Sequence, residues 1–231
     1  MLRHTALFLY YHPVTDSQKL AQAKGLAYLS YGCPSVQSVD FGSDLLGGSS
    51  PLLETKPWKR TPLWDARQAG PPSNYDVALH LDFDDKEGLD AYNDDDVHHE
   101  VGDYNASIGR GEFTARVDWW YDGPPRTHRG WIRHTALYLW DEEVTDGQKD
   151  DVRSAFGALE ADVPSVRSTV VGENVGPLTT DYNMIVDTHF EDLEGANAYF
   201  DHTAQQEAAS LAAAATKHQW TARITHKMAS G

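Results

Sequence analysis

The chain has 231 residues, 40% of them hydrophobic, and its 35 acidic against 19 basic side chains leave a formal charge of −16. That content supports a real core, the length fits two units of ordinary domain size, and the charge argues against a nucleic-acid or anionic-membrane partner, since both are read through clustered Lys and Arg. Cys33 is the single cysteine, so an intrachain disulfide and a zinc–thiolate cluster are excluded. Neither a basic-then-apolar leader nor an apolar run of membrane-spanning length is present, which predicts a cytoplasmic protein.

In chain order, residues 4–11 read as a strand, with Leu7, Phe8, Leu9 and Tyr10 apolar on both alternating faces. Thr15 or Asp16 is placed to cap a helix running to about Tyr31. Pro34 stops it, and Val36 to Phe41 forms a second strand. Gly42 to Asn74 reads as an insertion, carrying seven large apolar side chains (Trp58 and Trp64 among them) within Gly, Pro and Ser; a lid and a packing arm are the two readings. Tyr75 to Phe83 is the third strand and Glu87 to Tyr92 a short helix. The Asp94–Asp96 acids open another helix, where the dipole favours them, and residues 113–121 close the unit. Residues 123–130 have linker composition.

Then the chain repeats itself. Arg3-His4-Thr5-Ala6-Leu7-Phe8-Leu9 returns 130 positions later as Arg133-His134-Thr135-Ala136-Leu137-Tyr138-Leu139, and Pro34-Ser35-Val36 returns as Pro164-Ser165-Val166. Beyond the insertion the shift becomes 107: Tyr75, Phe83, Ala91-Tyr92 and Thr114-Ala115-Arg116 recur as Tyr182, Phe190, Ala198-Tyr199 and Thr221-Ala222-Arg223. The domains are therefore 1–122 with an insertion at 42–74, and 131–231. Strands apolar on both faces cannot lie in a sheet with one wet side. Helices cover one face in such a unit, so the other needs the second copy's sheet. The expected fold is α+β, two ferredoxin-like repeats forming one pseudo-twofold alpha-beta barrel: a monomer that is an internal pseudo-dimer, with further dimerisation left open.

On the helix starting near Asp96, helical spacing puts His98, Val101, Gly102, Asn105 and Ile108 on one face and His99 off it. A His turned into a helix–sheet space is a candidate general base; the alternative is a core histidine satisfied by a backbone carbonyl. In strand three, His80 and Asp82 exchange with Asp187 and His189 across the 107 shift, which suggests complementary His–Asp pairs locking the two sheets. Adjacent His98 and His99 diverge around the helix, so no metal site is expected there.

The His-x-x-x-hydrophobic opening strand, the Pro-Ser-Val before strand two, and Ala-Tyr before a His-rich helix resemble the dimeric alpha-beta barrel superfamily, and within it the stress-responsive A/B barrel family. The likeness spans residues 3–121 and 133–227. Plant polyketide cyclases of this fold use a His with a Tyr six residues earlier, which lands on His98 and Tyr92. In the second copy Tyr199 is kept and His98 is replaced by Gln205. The resemblance implies a cofactor-independent cyclase of the lyase or isomerase type acting on a small hydrophobic, polyketide-like substrate. His98 is then the base, Tyr92 holds the carbonyl, and His4 lines the pocket or takes a minor acid–base part. Further lining would come from Ala6, Phe8, Leu26, Leu79, Leu81, Trp58, Trp64, His134 and Tyr138, with no metal or other cofactor. A cofactor-free monooxygenase, drawing attention to Trp119 and Trp120, and a non-catalytic ligand-binding stress protein are the alternatives.

Overall fold

A computed structural model describes residues 1–11, 13–46, 73–123, 128–176 and 182–229. In the first repeat, β1 (Leu2–Phe8) leads to α1 (Asp16–Gly32) and β2 (Ser38–Ser43). A two-residue β3 (Ser73–Asn74) precedes β4 (Val77–Phe83), α2 (Lys86–Asn93), α3 (Asp96–Ile108) and β5 (Ala115–Trp120). The second repeat follows the same plan: β6 (Ile132–Tyr138), α4 (Asp146–Asp162), β7 (Ser168–Glu173), β8 (Met184–Phe190), α5 (Leu193–Asp201), α6 (Thr203–Ala215) and β9 (Ala222–Lys227). No helix among the described residues is long and apolar enough to cross a membrane.

The shared local chemistry explains why both copies fold alike. Thr15 and Thr145 each accept from the backbone N–H three residues on, and Gln18 and Gln148 reach back to the cap, so α1 and α4 open on identical capping boxes. Asp85 and Asp192 cap α2 and α5 in the same way. The second strand begins two residues later than expected, because Val36 N–H is still engaged by the Cys33 carbonyl in the turn after α1.

The strands order as β2-β4-β1-β5 and β3-β9-β6-β8-β7. Within β1 the pleat divides labour. Leu2 and Ala6 face the helices with Leu26, Leu29, Tyr92 and Val101, whereas Leu7 faces the other sheet with Val117, Trp119, Leu137, Ile185 and Ile224. The seams that close the barrel are reciprocal. Tyr75 N–H donates to the Arg223 carbonyl at 2.8 Å and Tyr182 N–H to Arg116 at 3.1 Å. Leu45 N–H donates to Thr225 and Val175 N–H to Asp118. Each pair is one contact seen twice through a pseudo-twofold axis. Gly42 and Gly172 sit at the seams because a Cβ there would meet the ring atoms of His226 at 2.6 Å and Trp119 at 2.5 Å. The ends of the 42–74 insertion take part too: Gly42 and Ser43 belong to β2, and β3 adds to the second sheet as a parallel partner of β9.

Inside the barrel lies a buried ionic network whose wiring differs from the expected His–Asp pairs. Arg3 grips Asp82 with Nε at 2.7 Å and Nη2 at 2.9 Å, and reaches across to Asp187 at 3.2 Å. Arg133 crosses the other way to Asp40 at 2.7 Å and donates to His189 at 2.9 Å. The cross-sheet ties therefore run through two arginines, joined by the His226–Asp40 contact at 3.1 Å. His80 contacts Thr5 at 3.1 Å and stacks on His226. Asp40, His80 and His226 bring potential metal-ligand atoms within 4.8 Å of one another. Arg133 donates to the same Asp40 oxygen that contacts His226, so a cation there would meet a guanidinium; hydrogen bonding accounts for the arrangement.

Burial, reinforced by Arg133 and only partly offset by Asp187, holds His189 down at about 4, and burial with Arg223 holds His134 at about 3. Both lie below the ordinary 6.5, so between pH 6.5 and 4 the unfolded chain binds protons that the folded chain refuses. Stability should be complete above pH 6.5 and fall on acidification by about 1.4 kcal/mol per pH unit for each histidine. Thermal melts from pH 7 to pH 4 measure this; a melting temperature that stays level across that window would contradict the buried neutral histidines.

Candidate functional site

Between the outer face of the first sheet and α3 lies a cavity of about 130 Å³. It approaches the roughly 150 Å³ space known to admit a benzene molecule. Ala6, Phe8 and Leu79 form an apolar floor; His4, Tyr92, His98, Asn105, Arg110 and Arg116 supply the polar wall. Strand periodicity puts His4 on this face beside Ala6 and Phe8, and helical periodicity turns His98, Val101, Gly102 and Asn105 inward. His99 stays exposed.

The central pair is His4 and Asp118, cross-strand neighbours in the β1–β5 register, with Nδ1 and Oδ1 2.6 Å apart and both side chains largely buried. An ionised carboxylate there fixes the ring as its Nδ1–H tautomer and leaves Nε2 as the basic nitrogen. Tyr92 stands next to His4, ring centres 6.2 Å apart, and packs on His98 at 4.1 Å. Burial first, and the Cys33 and Asp118 sides next, raise the Tyr92 phenol well above its usual range despite Arg116, so it stays a neutral hydrogen-bond donor. His98 contacts the Asn93 carbonyl through Nδ1 at 3.3 Å. Burial, and after it the neighbouring His4, His99 and Arg116, lower its pKa against the opposing pull of Asn93, so it is a neutral imidazole near pH 7. Both readings of His98 thus hold together: it lines a cavity and it is met by a backbone carbonyl. Asn105, 8% exposed, presents an amide oxygen that accepts no hydrogen bond. A substrate donor is the natural partner for it.

The second repeat has filled the corresponding space. Asp118 is matched by Thr225, whose hydroxyl is 2.8 Å from His134 Nδ1, and His98 by Gln205. Phe156 stands where the first repeat has Leu26 and packs at a tilt against Tyr138, ring centres 5.5 Å apart, while Phe200 meets His134 edge-on at 4.9 Å. Ala208 and Ala212, in place of Val101 and Asn105, bring α6 close.

The structure therefore brings His4, Ala6, Phe8, Leu79, Tyr92 and His98 to one cavity. Four expected lining residues are elsewhere. Leu81 lies in the core cluster under the helices, and Leu26 borders a separate space of about 80 Å³ beside Tyr10 and Phe41. His134 and Tyr138 belong to the packed second repeat, because each sheet presents its first-strand histidine to its own helices. Trp58 and Trp64 lie outside the described residues. Sequence reasoning missed Asp118, Arg116 and Arg110. The signal for Asp118 was available: strand alternation places it with Arg116, and the duplicate has Thr225 instead.

Residues 132–222 match the profile of the Stress responsive A/B Barrel Domain family. That match spans the second repeat from β6 to the start of β9. The first repeats its topology and carries the insertion. No curated protein matches the chain in sequence. Among solved structures, an anthrone oxidase-like protein aligns over 98% of this chain and 90% of its own at 14% identity, TM-score 0.63. A putative monooxygenase from Fusobacterium nucleatum aligns over 98% and 91% at 7% identity, TM-score 0.56. Another from Lactobacillus acidophilus aligns over 99% and 95% at 10% identity, TM-score 0.52. These likenesses show that the two-repeat A/B barrel is a shared fold.

If the cavity environment is as described, a histidine NMR titration should find His98 ionising below 6.5, the direction set by burial. A midpoint above 6.5 would contradict it.

Proposed function

We propose that the first repeat is the active half of an enzyme that removes a proton from carbon next to a carbonyl in a small hydrophobic substrate. The observation that carries this reading is His4 in the wall of a ring-sized cavity with Asp118 on its Nδ1, a pair replaced by His134–Thr225 in the filled second repeat. It moves the base from His98 to His4. Asp118 stabilises the imidazolium that forms at His4, whereas His98 has a carbonyl neighbour and a lowered proton affinity.

His4 Nε2 takes the α-proton; the electron pair of the C–H bond becomes an enolate. Tyr92 donates to the enolate oxygen and the Arg116 guanidinium supplies positive charge nearby. The enolate carbon then attacks a second carbonyl of the same molecule, and the imidazolium returns its proton to the new alkoxide. The sequence balances as an aldol-type ring closure without a co-reactant, which is the cyclase reading of a polyketide-like substrate. Asn105 orients a substrate hydroxyl or N–H. The cavity volume confines the reacting portion to about one ring.

The monooxygenase reading draws on what the full-length structural neighbours are named. Its tryptophans do not support it: Trp119 is buried between the sheets and donates to Thr5 at 3.2 Å, and Trp120 borders a different small cavity.

Incubation with a panel of 1,3-diketones and poly-β-keto esters, with product analysis and oxygen uptake, tests the proposal. Turnover without oxygen uptake is expected, falling on the order of 10²–10⁴-fold in folded His4→Ala. Full turnover by that variant would overturn the assignment, and oxygen consumption coupled to product would replace it with the oxidative reading.

A further inference from the structure

The Asp118 backbone is held from outside its own repeat. Its backbone N–H donates to Asn174 Oδ1 at 3.0 Å, and its carbonyl accepts from Val175 N–H at 2.6 Å; both partners lie in the segment after β7 of the second repeat. Asn174 Oδ1 also accepts from Gly176 N–H at 3.0 Å, so the same amide oxygen ties the segment's own turn. A Cβ on Gly176 would collide with Asp118 Oδ2, with Asp118 Cγ 3.1 Å away and Asn174 Oδ1 3.2 Å away. The carboxylate thus lies in the space of a missing side chain.

The duplicate shows what is particular here. Through the pseudo-twofold, Asp44, Leu45 and Leu46 occupy the places of Asn174, Val175 and Gly176, and Asp44 Oδ1 accepts from Thr225 N–H at 3.1 Å. The backbone contacts are alike; the side chains differ at all three places, and two of the changes alter charge or bulk beside the strand residue. Where the strand residue is the uncharged Thr225, the facing segment carries a carboxylate and a bulky leucine. Where it is Asp118, the segment carries a neutral amide and no side chain. A carboxylate at 174 would add like charge beside Asp118, and a leucine at 176 would occupy the carboxylate's place.

We infer that Asn174 and Gly176 are positioning residues that aim the Asp118 carboxylate at His4, so the second repeat completes the first repeat's site. This rests on the proposed role of the His4–Asp118 pair. The charged and titratable groups around that pair are Tyr92 from α2, His98 from α3 and Arg116 on β5, with Lys86 sharing the small space beside Asp118 and Gly176. None of these comes from the 174–176 segment, so its changes act through placement of Asp118.

The test uses the full chain, labelled with ¹⁵N-histidine, and needs no substrate. The wild type should show a downfield, exchange-protected Nδ1–H proton on His4, the signature of a ring donating to a carboxylate. In Gly176→Ala, and in the nearly isosteric Asn174→Leu, that signal should disappear or move upfield while the His134 ring and the far-ultraviolet circular dichroism stay unchanged. Leu46→Gly, at the duplicate position, should leave the His4 signal in place. A wild-type signal that survives intact in both variants would overturn the inference alone. A wild-type spectrum without the signal would overturn the reading of His4–Asp118 itself. Should Asn174→Leu unfold, Gly176→Ala decides, because it removes none of the hydrogen bonds that the segment makes with Asp118 or within its own turn.

Discussion

Each sheet of this protein is buried on both faces, and that constraint organises the rest. Helices cover one face; the other is covered by the sheet of the duplicate. Leu7, Val117 and Trp119 from one repeat meet Leu137, Ile185 and Ile224 from the other, so a lone repeat would expose a continuous apolar face. Arg3 and Arg133 add direction to this non-specific contact. Each crosses to a carboxylate of the opposite sheet, and a one-residue slip would leave buried charges unpaired, at a cost of several kcal/mol.

Once shared burial supplies the stability, the two helical layers are free to diverge. The second repeat closed its layer with Phe156, Tyr138, Phe200 and the alanines of α6. The first has Leu26 and Asn93 where the second has Phe156 and Phe200, and it retains a cavity with His4, backed by Asp118, in its wall. A homodimer of one repeat would present two equal sites. Fusion lets one half serve as scaffold for the other, down to the backbone contacts that Asn174 and Val175 make with Asp118.

Much of this was legible in the sequence because duplication doubles every local signal. The capping boxes, the strand faces and the inward turn of His98 all follow from short-range periodicity, and the barrel follows from strands apolar on both sides. What stayed hidden depends on pairs brought together by register. His4 and Asp118 are cross-strand neighbours 114 positions apart, and no local pattern marks them. The His80–Asp187 exchange is visible in the sequence, but its wiring through Arg3 and Arg133 depends on contacts between the two sheets, which no local pattern marks. Leu26 and Leu81, expected in the pocket lining, lie instead beside a separate small space and in the core under the helices, a difference set by packing between elements and not by periodicity within one.

The central claim is that one repeat binds and the other is closed. It is tested most directly by titrating the ¹⁵N-labelled protein with cyclohexane-1,3-dione, an enolisable molecule of one ring, and mapping amide shifts. The account expects perturbation at Ala6, Val101, Gly102 and Asn105, with their counterparts Ala136, Ala208, Ala209 and Ala212 unmoved. Equal shifts in both repeats, or shifts gathered in the second, would contradict it.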